Sequence, residues 1–207
     1  MTATFHDLKD ASVFISGGAS GIGAALVEGF LAQGARTAFC DIAEESGNAL
    51  CTTLEKKYGA KPRFFAADVT DIPSLKSALN QAEVAHGPIT TLVNNAALDT
   101  RHSLEGFSVE AWDASIAVNL RHHFFAAQHV APAMRTAGGG SIINFSSISY
   151  MMGNAGYDSY VAAKSGITGL TRGLARELGP ENIRVNAVMP GWVLTDRQKE
   201  LWASPES

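Results

Sequence analysis

The sequence predicts an α/β fold, a single domain built on one doubly wound parallel sheet of Rossmann type. Short apolar runs rich in Val, Ile and Phe alternate with amphipathic stretches along the whole chain, as parallel strands alternate with crossover helices. Glycine and proline mark the turns between these segments. At 207 residues, 46% hydrophobic and 17% charged, the chain has the size and composition of one such domain.

The individual elements follow from these runs. The predicted strands are Val13–Ser16, Arg36–Cys40, Arg63–Ala66, Thr91–Asn94, Ser141–Phe145 and Arg184–Val188. The predicted helices are Gly21–Gln33, Glu44–Tyr58, Ser74–His86, Val109–Arg135 and Ser159–Leu178. In such sheets the ligand binds beyond the carboxyl ends of the strands, so the residues that follow strands are the functional candidates.

Charge and cysteine content narrow the function classes. A formal net charge of −4, with scattered basic residues, argues against nucleic acid as the main partner. No window approaches the ~20 apolar residues of a membrane-spanning helix, and the N-terminal segment is not a signal peptide. Cys40 and Cys51 lack metal-ligand spacing, and so do the histidines. We therefore expect a cytoplasmic protein with neither a membrane partner nor a metal site.

The first predicted strand leads into a glycine-rich loop, residues 16–23 (SGGASGIG), with a helix behind it. Gly17 permits a tight turn, Gly21 lets a pyrophosphate approach the backbone, and Gly23 lets the helix pack close to the sheet. The spacing G-x-x-x-G-x-G differs from the usual G-x-G-x-x-G, but its place between strand and helix is typical of dinucleotide sites. The predicted cofactor contacts in this loop are Gly17, Ser20, Gly21, Ile22 and Gly23.

Asp41 follows the second predicted strand, at the ~20-residue separation typical of dinucleotide-binding folds. A carboxylate there can accept hydrogen bonds from the adenosine ribose hydroxyls, and it would repel a 2′-phosphate. Neither Ser20 nor Ile42 offers a compensating cation. NAD is therefore predicted over NADP, although Asp41 could also cap the next helix.

Tyr160 and Lys164 stand four residues apart in a predicted helix and so share one face. A free tyrosine, with a pKa of about 10, is a poor base at neutral pH, but a neighbouring ammonium favours the phenolate. Such a pair alone is more often two surface residues. Ser147 at a strand end can orient a substrate oxygen, and Asn119 lies mid-helix, where an amide is disfavoured.

Together these residues resemble the short-chain dehydrogenase/reductase family over nearly the whole chain. The matching positions are Gly17, Gly21, Gly23, Asp68, Asn94-Asn95-Ala96, Asn119, Ser147, Tyr160, Lys164 and Pro190-Gly191. The resemblance implies an NAD-dependent dehydrogenase that acts on CH–OH groups. It departs from the family at Ala97, where glycine is usual, which narrows the floor of the cofactor cleft.

The resemblance also implies a role for each residue. Tyr160 would be the catalytic base, Ser147 would hold the substrate hydroxyl, and Asn119 would anchor a proton-relay water. Lys164 would bind the nicotinamide ribose and lower the pKa of the tyrosine. The remaining implied cofactor contacts are Asp68, Val69, Asn95, Ala96, Pro190 and Val193.

Family members usually continue for several dozen residues beyond the proline-glycine turn. Those residues supply a further helix and a last parallel strand. The single domain, residues 1–207, is therefore expected to lack that helix and strand. Without them, one edge of the sheet would be exposed.

Three segments, 98–102, 149–157 and 192–202, are predicted to line the substrate cleft. Their polar and aromatic side chains suit a hydroxyl-rich ligand. The strings NNAAxDxRH and PGWV resemble the sugar 1-dehydrogenase branch, which oxidises the C1 hydroxyl of aldoses to the lactone. The implied substrate is a monosaccharide, with contacts from Asp99, Ser147, Ser149, Asn154, Trp192 and Arg197.

Two other functions stay open. One is reduction of a ketone or 3-oxoacyl thioester, which would prefer NADPH and a longer apolar cleft. The other is a truncated, non-catalytic module for cofactor binding or subunit interaction.

The predicted helices 109–135 and 159–178 each carry apolar side chains over a wide arc, which indicates a second buried face on each helix. In the family that the chain resembles, these two helices pair between subunits. A homodimer or homotetramer is expected.

Overall fold

The computed structural model describes residues 3–202, which form one sheet of six parallel strands in the order β3-β2-β1-β4-β5-β6. The strands are β1 (Ser12–Ser16), β2 (Arg36–Asp41), β3 (Arg63–Ala66), β4 (Thr91–Asn94), β5 (Gly140–Phe145) and β6 (Ile183–Val188). This confirms the doubly wound fold, with strand bounds within one residue of those predicted. The expected domain limits, 1 and 207, lie outside the described residues.

Helices cover both faces of the sheet. They are α1 (Gly21–Ala32), α2 (Glu44–Tyr58), α3 (Ile72–His86), α4 (Val109–Ile116), α5 (His122–Thr136), α6 (Ser149–Met152), α7 (Asp158–Leu178) and α8 (Asp196–Trp202). Helix α3 begins before the predicted Ser74, because the Asp71 carboxylate caps it by accepting from Ser74 N at 3.4 Å. The short helices α6 and α8 were not predicted.

The prediction of one helix over 109–135 was wrong in detail. A π-helical turn, Ala117–Arg121, separates α4 from α5. Asn119 lies within this turn, and its amide group donates at 3.0 Å to the carbonyl of Ser115 and at 3.0 Å to that of Leu98. A side chain that bonds backbone groups in this way competes with regular helical pairing, which accounts for the local widening.

The core lies on both sides of the central strands. Phe14 and Leu92 face the layer that contains α3, α5 and α7, whereas Ile15 and Val93 face the layer that contains α1 and α2. All five residues of β1 are buried. Burial on both faces explains why the centres of β1 and β4, residues 13–15 and 92–93, are consecutive apolar residues rather than an alternation of apolar and polar ones.

Strand β6 forms one edge of the sheet, and residues 189–202 contain no further strand. Ile183 and Val185 are buried against the α7 layer, but Arg184, Asn186 and Val188 on the opposite face are exposed. The α1 layer therefore does not extend over β6. Within the described part of the chain, no helix combines the length and hydropathy needed to cross a membrane.

Helix α1 packs tightly on the turn that precedes it. A Cβ on Gly23 would lie 1.8 Å from the carbonyl oxygen of Gly17, so no larger residue fits without moving the turn. Gly29, on the same helix, would place a Cβ with nothing within 4 Å. The two glycines therefore differ sharply in what an alanine would meet.

We expect Gly23→Ala to lower the free energy of unfolding by about 2 kcal/mol or more, because the turn and the helix must separate. Gly29→Ala is the matched control. It should raise the free energy of unfolding by about 0.5–1 kcal/mol, since it removes backbone entropy from the unfolded chain at an open site. Urea denaturation measures both values. Equal effects of the two substitutions would contradict the close packing at Gly23.

Candidate active site

A cleft of about 950 Å³ opens at the carboxyl ends of the strands, where ligands bind in sheets of this topology. Its walls combine the glycine loop, the segments that follow β2 to β6, and α7. The predicted site residues that line it are Gly17, Ser20, Gly21, Ile22, Gly23, Asp41, Val69, Asn95, Ala96, Asp99, Ser147, Ser149, Asn154, Tyr160, Lys164, Pro190, Trp192, Val193 and Arg197. Asp68 and Asn119 do not line it.

The glycine loop is held against the centre of the sheet. Gly17 has a φ of +69°, and a Cβ there would lie 2.7 Å from the Cα of Ala96. The amides of Gly17 and Gly18 donate to the carbonyl of Cys40 at 2.8 and 3.1 Å. The loop therefore follows β1 in a fixed turn and delivers the start of α1 to the cleft.

Asn95 joins this loop to the segment after β4. Its side-chain amide donates to the carbonyls of Ser16 and Gly17 at 3.2 and 2.9 Å. In return the Ser16 hydroxyl accepts from the backbone amides of Asn95 and Ala96 at 3.1 and 3.2 Å. The Asn95 amide group thus bonds the protein backbone, and its predicted contact with a cofactor stays a prediction.

His122 supports the same segment from below. It is fully buried, and its Nε2 lies 3.1 Å from the carbonyl oxygen of Ala96. A carbonyl only accepts, so Nε2 carries the hydrogen in this contact. Burial lowers the pKa of His122 to about 3, which keeps the ring neutral.

Asp41 ends β2 at the edge of the cleft. Its Oδ2 accepts from Ala19 N and its Oδ1 from Ala43 N, both at 3.0 Å. Each carboxylate oxygen can accept more than one hydrogen bond, so both retain capacity for a ligand hydroxyl. The carboxylate is therefore fixed in orientation and still available to the cleft.

Asp68 and Val69 follow β3 but have different environments. Val69 is buried and lines the cleft, whereas Asp68 is exposed and lies outside the lining. The Asp68 carboxylate accepts from Thr70 N at 2.8 Å, a bond that closes its own turn. The role of Asp68 in flanking the adenine stays a prediction.

Tyr160 and Lys164 project from the first turns of α7. Lys164 is 1% exposed, and its Nζ lies 5.4 Å from the centre of the Tyr160 ring. The Lys164 ammonium donates to the carbonyl of Phe145 at 2.8 Å, and the Ser146 hydroxyl donates to the carbonyl of Lys164 at 2.6 Å. The end of β5 therefore holds the lysine beside the tyrosine.

Burial shifts the pKa of each group in the direction that favours its neutral form. It raises the pKa of Tyr160 to about 12, and a hydrogen bond from Ser147 acts in the opposite direction. It lowers the pKa of Lys164 to about 7, against an opposing effect of the Asp99 carboxylate. Forming the phenolate near neutral pH therefore requires further positive charge beside the ring.

Two serines follow β5 at the cleft wall. The Ser147 hydroxyl accepts from Ser149 N at 3.2 Å and also bonds to Tyr160. Ser149 is 7% exposed, and its own hydroxyl has no hydrogen-bond partner among the described residues. A buried hydroxyl without a partner at a cleft wall is suited to bind a polar ligand atom.

Asn119 lies behind the cleft rather than in its wall. Its Oδ1 accepts from Leu98 N at 2.9 Å while its amide group donates to the Leu98 carbonyl at 3.0 Å. The side chain thus pairs with both backbone groups of Leu98, as a neighbouring strand would. The relay water assigned to Asn119 stays a prediction.

Several of the predicted substrate residues contact one another. Asp99 Oδ1 forms an ion pair with Arg197, and Asp99 Oδ2 accepts from Gln198 at 2.9 Å. Trp192, 64% exposed, donates to Gln198 Oε1 at 2.9 Å. Burial alone would raise the pKa of Asp99, but its bonds to Arg197 and Gln198 hold it below the usual value. These contacts dock α8 over the entrance of the cleft.

An aromatic stack continues from Tyr160. The Tyr157 ring is buried and lies 5.7 Å from the Tyr160 ring, with 19° between their planes. The Arg101 guanidinium lies 3.7 Å from the centre of the Tyr157 ring, and Asn154 donates to the Tyr157 hydroxyl at 3.4 Å. Asn154 therefore reaches the cleft beside Tyr157.

Sequence reasoning missed some lining residues, among them Ala43, Ala67 and Ile148. Ile148 lies between Ser147 and the predicted segment 149–157, a place that could have indicated it. Among residues 3–202, no three His, Cys, Asp or Glu side chains gather into a possible metal site. Both cysteines are free and buried.

The chain resembles known dehydrogenases over almost its full length. It is 50% identical to the protein designated probable galactose dehydrogenase GalD of Rhizobium meliloti (strain 1021), over all of this chain and 80% of that protein. It is 46% identical to the D-xylose 1-dehydrogenase of Caulobacter vibrioides (strain NA1000 / CB15N), over 99% of this chain and 80% of that enzyme.

A solved structure is also similar to this chain. A crystal structure from Sinorhizobium meliloti 1021, of a protein described as a short-chain alcohol dehydrogenase, superposes with a TM-score of 0.89 at 30% identity. The match covers 96% of this chain and 78% of that one. The model of the short chain dehydrogenase family matches residues 11–206. The chain therefore belongs to the short-chain dehydrogenase family and is a dehydrogenase acting on CH–OH groups.

Proposed function

We propose that this dehydrogenase oxidises the C1 hydroxyl of an aldose to the lactone with NAD as the hydride acceptor. The observation that carries the proposal is the grouping of Tyr160, Lys164 and Ser147 in one cleft with the glycine loop and Asp41. The two sugar dehydrogenases, both at least 46% identical to this chain, support the substrate class.

The cleft suits a dinucleotide. The glycine loop presents the start of α1 to the cleft, and a helix start of this kind binds a pyrophosphate. Asp41 keeps hydrogen-bonding capacity for ribose hydroxyls, and its charge opposes a 2′-phosphate. Val69 and Ala96 would border the adenine, and Pro190 would lie against the nicotinamide. When bound, NAD supplies the hydride acceptor and a positive charge near Tyr160.

The chain's own groups would handle the proton. Ser147 would hold the sugar hydroxyl by a hydrogen bond, and the Tyr160 phenolate would take its proton as the hydride leaves C1. Lys164 would favour the phenolate when it is charged, and it would bind the nicotinamide ribose. The unpartnered Ser149 hydroxyl and the amide of Asn154 would bind further sugar hydroxyls, and an analogue lacking them would leave these groups unpaired.

The test is to mix the purified chain with NAD and a panel of aldoses at mildly alkaline pH. The absorbance of the reduced cofactor is then recorded. We expect aldose-dependent reduction, and Tyr160→Phe should lower kcat by about 1,000-fold or more because the base is lost. Tyr58→Phe, a substitution of an exposed tyrosine far from the cleft, is the control and should retain wild-type turnover.

Either of two results would overturn the proposal. Turnover with ketones or 3-oxoacyl thioesters and NADPH, but none with aldoses, would assign the chain to the reductase alternative. Binding of NADH without turnover of any CH–OH substrate would assign it to the non-catalytic module.

A second prediction concerns cofactor choice. We expect the wild type to prefer NAD to NADP by at least about tenfold in kcat/KM, because Asp41 binds ribose hydroxyls and repels phosphate. Asp41→Ser should reduce this ratio by about tenfold or more, whereas Glu45→Gln, nearby but outside the cleft, should leave it unchanged. Initial rates with each cofactor give the ratio. An unchanged ratio in Asp41→Ser would exclude this role for Asp41.

A third prediction concerns assembly. Trp112 on α4 and Phe124 on α5 are 40% and 42% exposed, and we propose that such apolar groups pack against a second copy in a homodimer or homotetramer. Sedimentation velocity at micromolar concentration should show a dimer or larger species, and Phe124→Lys should shift it towards monomer. A wild-type monomer at that concentration would contradict the assembly.

We also propose a cytoplasmic location, in keeping with the two free, buried cysteines.

A further inference from the structure

The helix that carries Tyr160 begins without a cap of its own. Its N-cap position is Tyr157, whose side chain makes no capping hydrogen bond, and the preceding residue, Gly156, has a φ of +87°. Tyr160 lies in the first turn, where backbone amides have no partner within the helix. The position of the Tyr160 hydroxyl therefore depends on what holds this first turn.

His102, from the segment after β4, supplies that contact. Ser159 N donates to His102 Nε2 at 3.4 Å, and the Ser159 hydroxyl lies 3.1 Å from the same nitrogen. The backbone amide of His102 also donates to the Gly156 carbonyl at 2.8 Å. Ser159 is 2% exposed, so its amide has little access to water as an alternative partner.

The other side of the ring fixes its tautomer. His102 Nδ1 lies 3.1 Å from the carbonyl oxygen of Ser103, which only accepts, so Nδ1 carries the hydrogen. Nε2 is then left with a lone pair directed at Ser159. The ring also stacks on Phe107, with 3.7 Å between centres and 12° between planes. Tautomer and orientation are both set for capping.

The segment between Leu98 and His102 is anchored at both ends to elements of the site. Asn119 binds both backbone groups of Leu98, and His102 binds the start of α7. Arg101, one residue earlier, lies over the ring of Tyr157, which stacks on Tyr160. The segment therefore links the π-helical turn to the helix that carries the base.

We propose that His102 is a positioning residue, which holds the first turn of α7 by accepting from Ser159 and so sets the place of the Tyr160 hydroxyl. The inference rests on the proposed role of Tyr160 as the base. His102 itself lies outside the lining of the cleft, so it acts through α7 rather than by contact with substrate.

Two variants separate the acceptor from the ring. His102→Phe keeps an aromatic ring against Phe107 but removes the acceptor of the hydrogen bond from Ser159. His102→Gln places an amide oxygen near the position of Nε2 and so keeps a hydrogen-bond acceptor there. Phe107→Leu is the packing control, because it removes the stacked ring and leaves the acceptor in place. Thermal unfolding of each variant checks that the fold is retained.

The first readout is hydrogen exchange of the peptide that covers residues 156–163 of the full chain. We expect about tenfold faster exchange at the start of α7 in His102→Phe and wild-type exchange in His102→Gln. Unchanged exchange in His102→Phe, or equally fast exchange in both variants, would overturn the proposal. This readout needs no turnover, so it stands apart from the test of the aldose reaction.

The second readout is kinetic. With an aldose and NAD, His102→Phe should lose about 10- to 100-fold in kcat, since small displacements of a base are costly, while its affinity for NADH stays at the wild-type value. His102→Gln should restore most of kcat, and Phe107→Leu should lose little. A wild-type kcat in His102→Phe would refute the positioning role. Absence of turnover in the wild type would instead contradict the proposed function. The hydrogen-exchange result would then decide whether His102 positions α7.

Discussion

The junction between Ser16 and Asn95 is the constraint on which the site depends. Ser16 is the last residue of β1, and Asn95 follows the last residue of β4. The Ser16 hydroxyl and the Asn95 side-chain amide form four hydrogen bonds with backbone groups of the facing segment. This places Gly17 against Ala96, and a side chain at Gly17 would not fit there. The glycine loop and the floor of the cleft thus form one unit at the centre of the sheet, where ligands bind in doubly wound folds.

The side of the cleft that holds Tyr160 and Lys164 is built on β5, the next strand outward. The carbonyl at the end of β5 binds the Lys164 ammonium, and the hydroxyl of Ser146 binds the Lys164 backbone, so α7 is tied to the sheet one turn after Tyr160. The segment from Leu98 to His102 connects the start of the same helix to the π-helical turn. His102 binds Ser159 at the start of α7, and Leu98 binds Asn119 in the π-helical turn. Helix α7, which carries Tyr160, is therefore held at two points, by groups from β5, from the residue that follows β5 and from the segment after β4.

Much of this was predictable from sequence because it is local. Apolar runs fixed between glycines give the strands, and the spacing of Tyr160 and Lys164 gives their shared face. What sequence could not supply depends on contacts distant in the chain. Asp99, which is predicted to contact substrate, lines the cleft and pairs there with Arg197, 98 residues further on. The π-helical turn likewise arises from the bond between Asn119 and Leu98, which no helical periodicity reveals.

The burial of Lys164 has a consequence for how stability and activity relate. Burial lowers the pKa of its amine from 10.5 in the unfolded chain to about 7 in the fold, so the unfolded chain holds the proton more tightly. The difference has no effect on stability above pH 10.5, where the amine is neutral in both states. It lowers the free energy of unfolding progressively as the pH falls from 10.5 to about 7, and the full cost is present below about 7. Near neutral pH the buried lysine therefore lowers the free energy of unfolding. A screen that ranks variants by melting temperature would therefore favour apolar replacements at this position and discard the amine that is proposed to bind the nicotinamide ribose and to favour the Tyr160 phenolate.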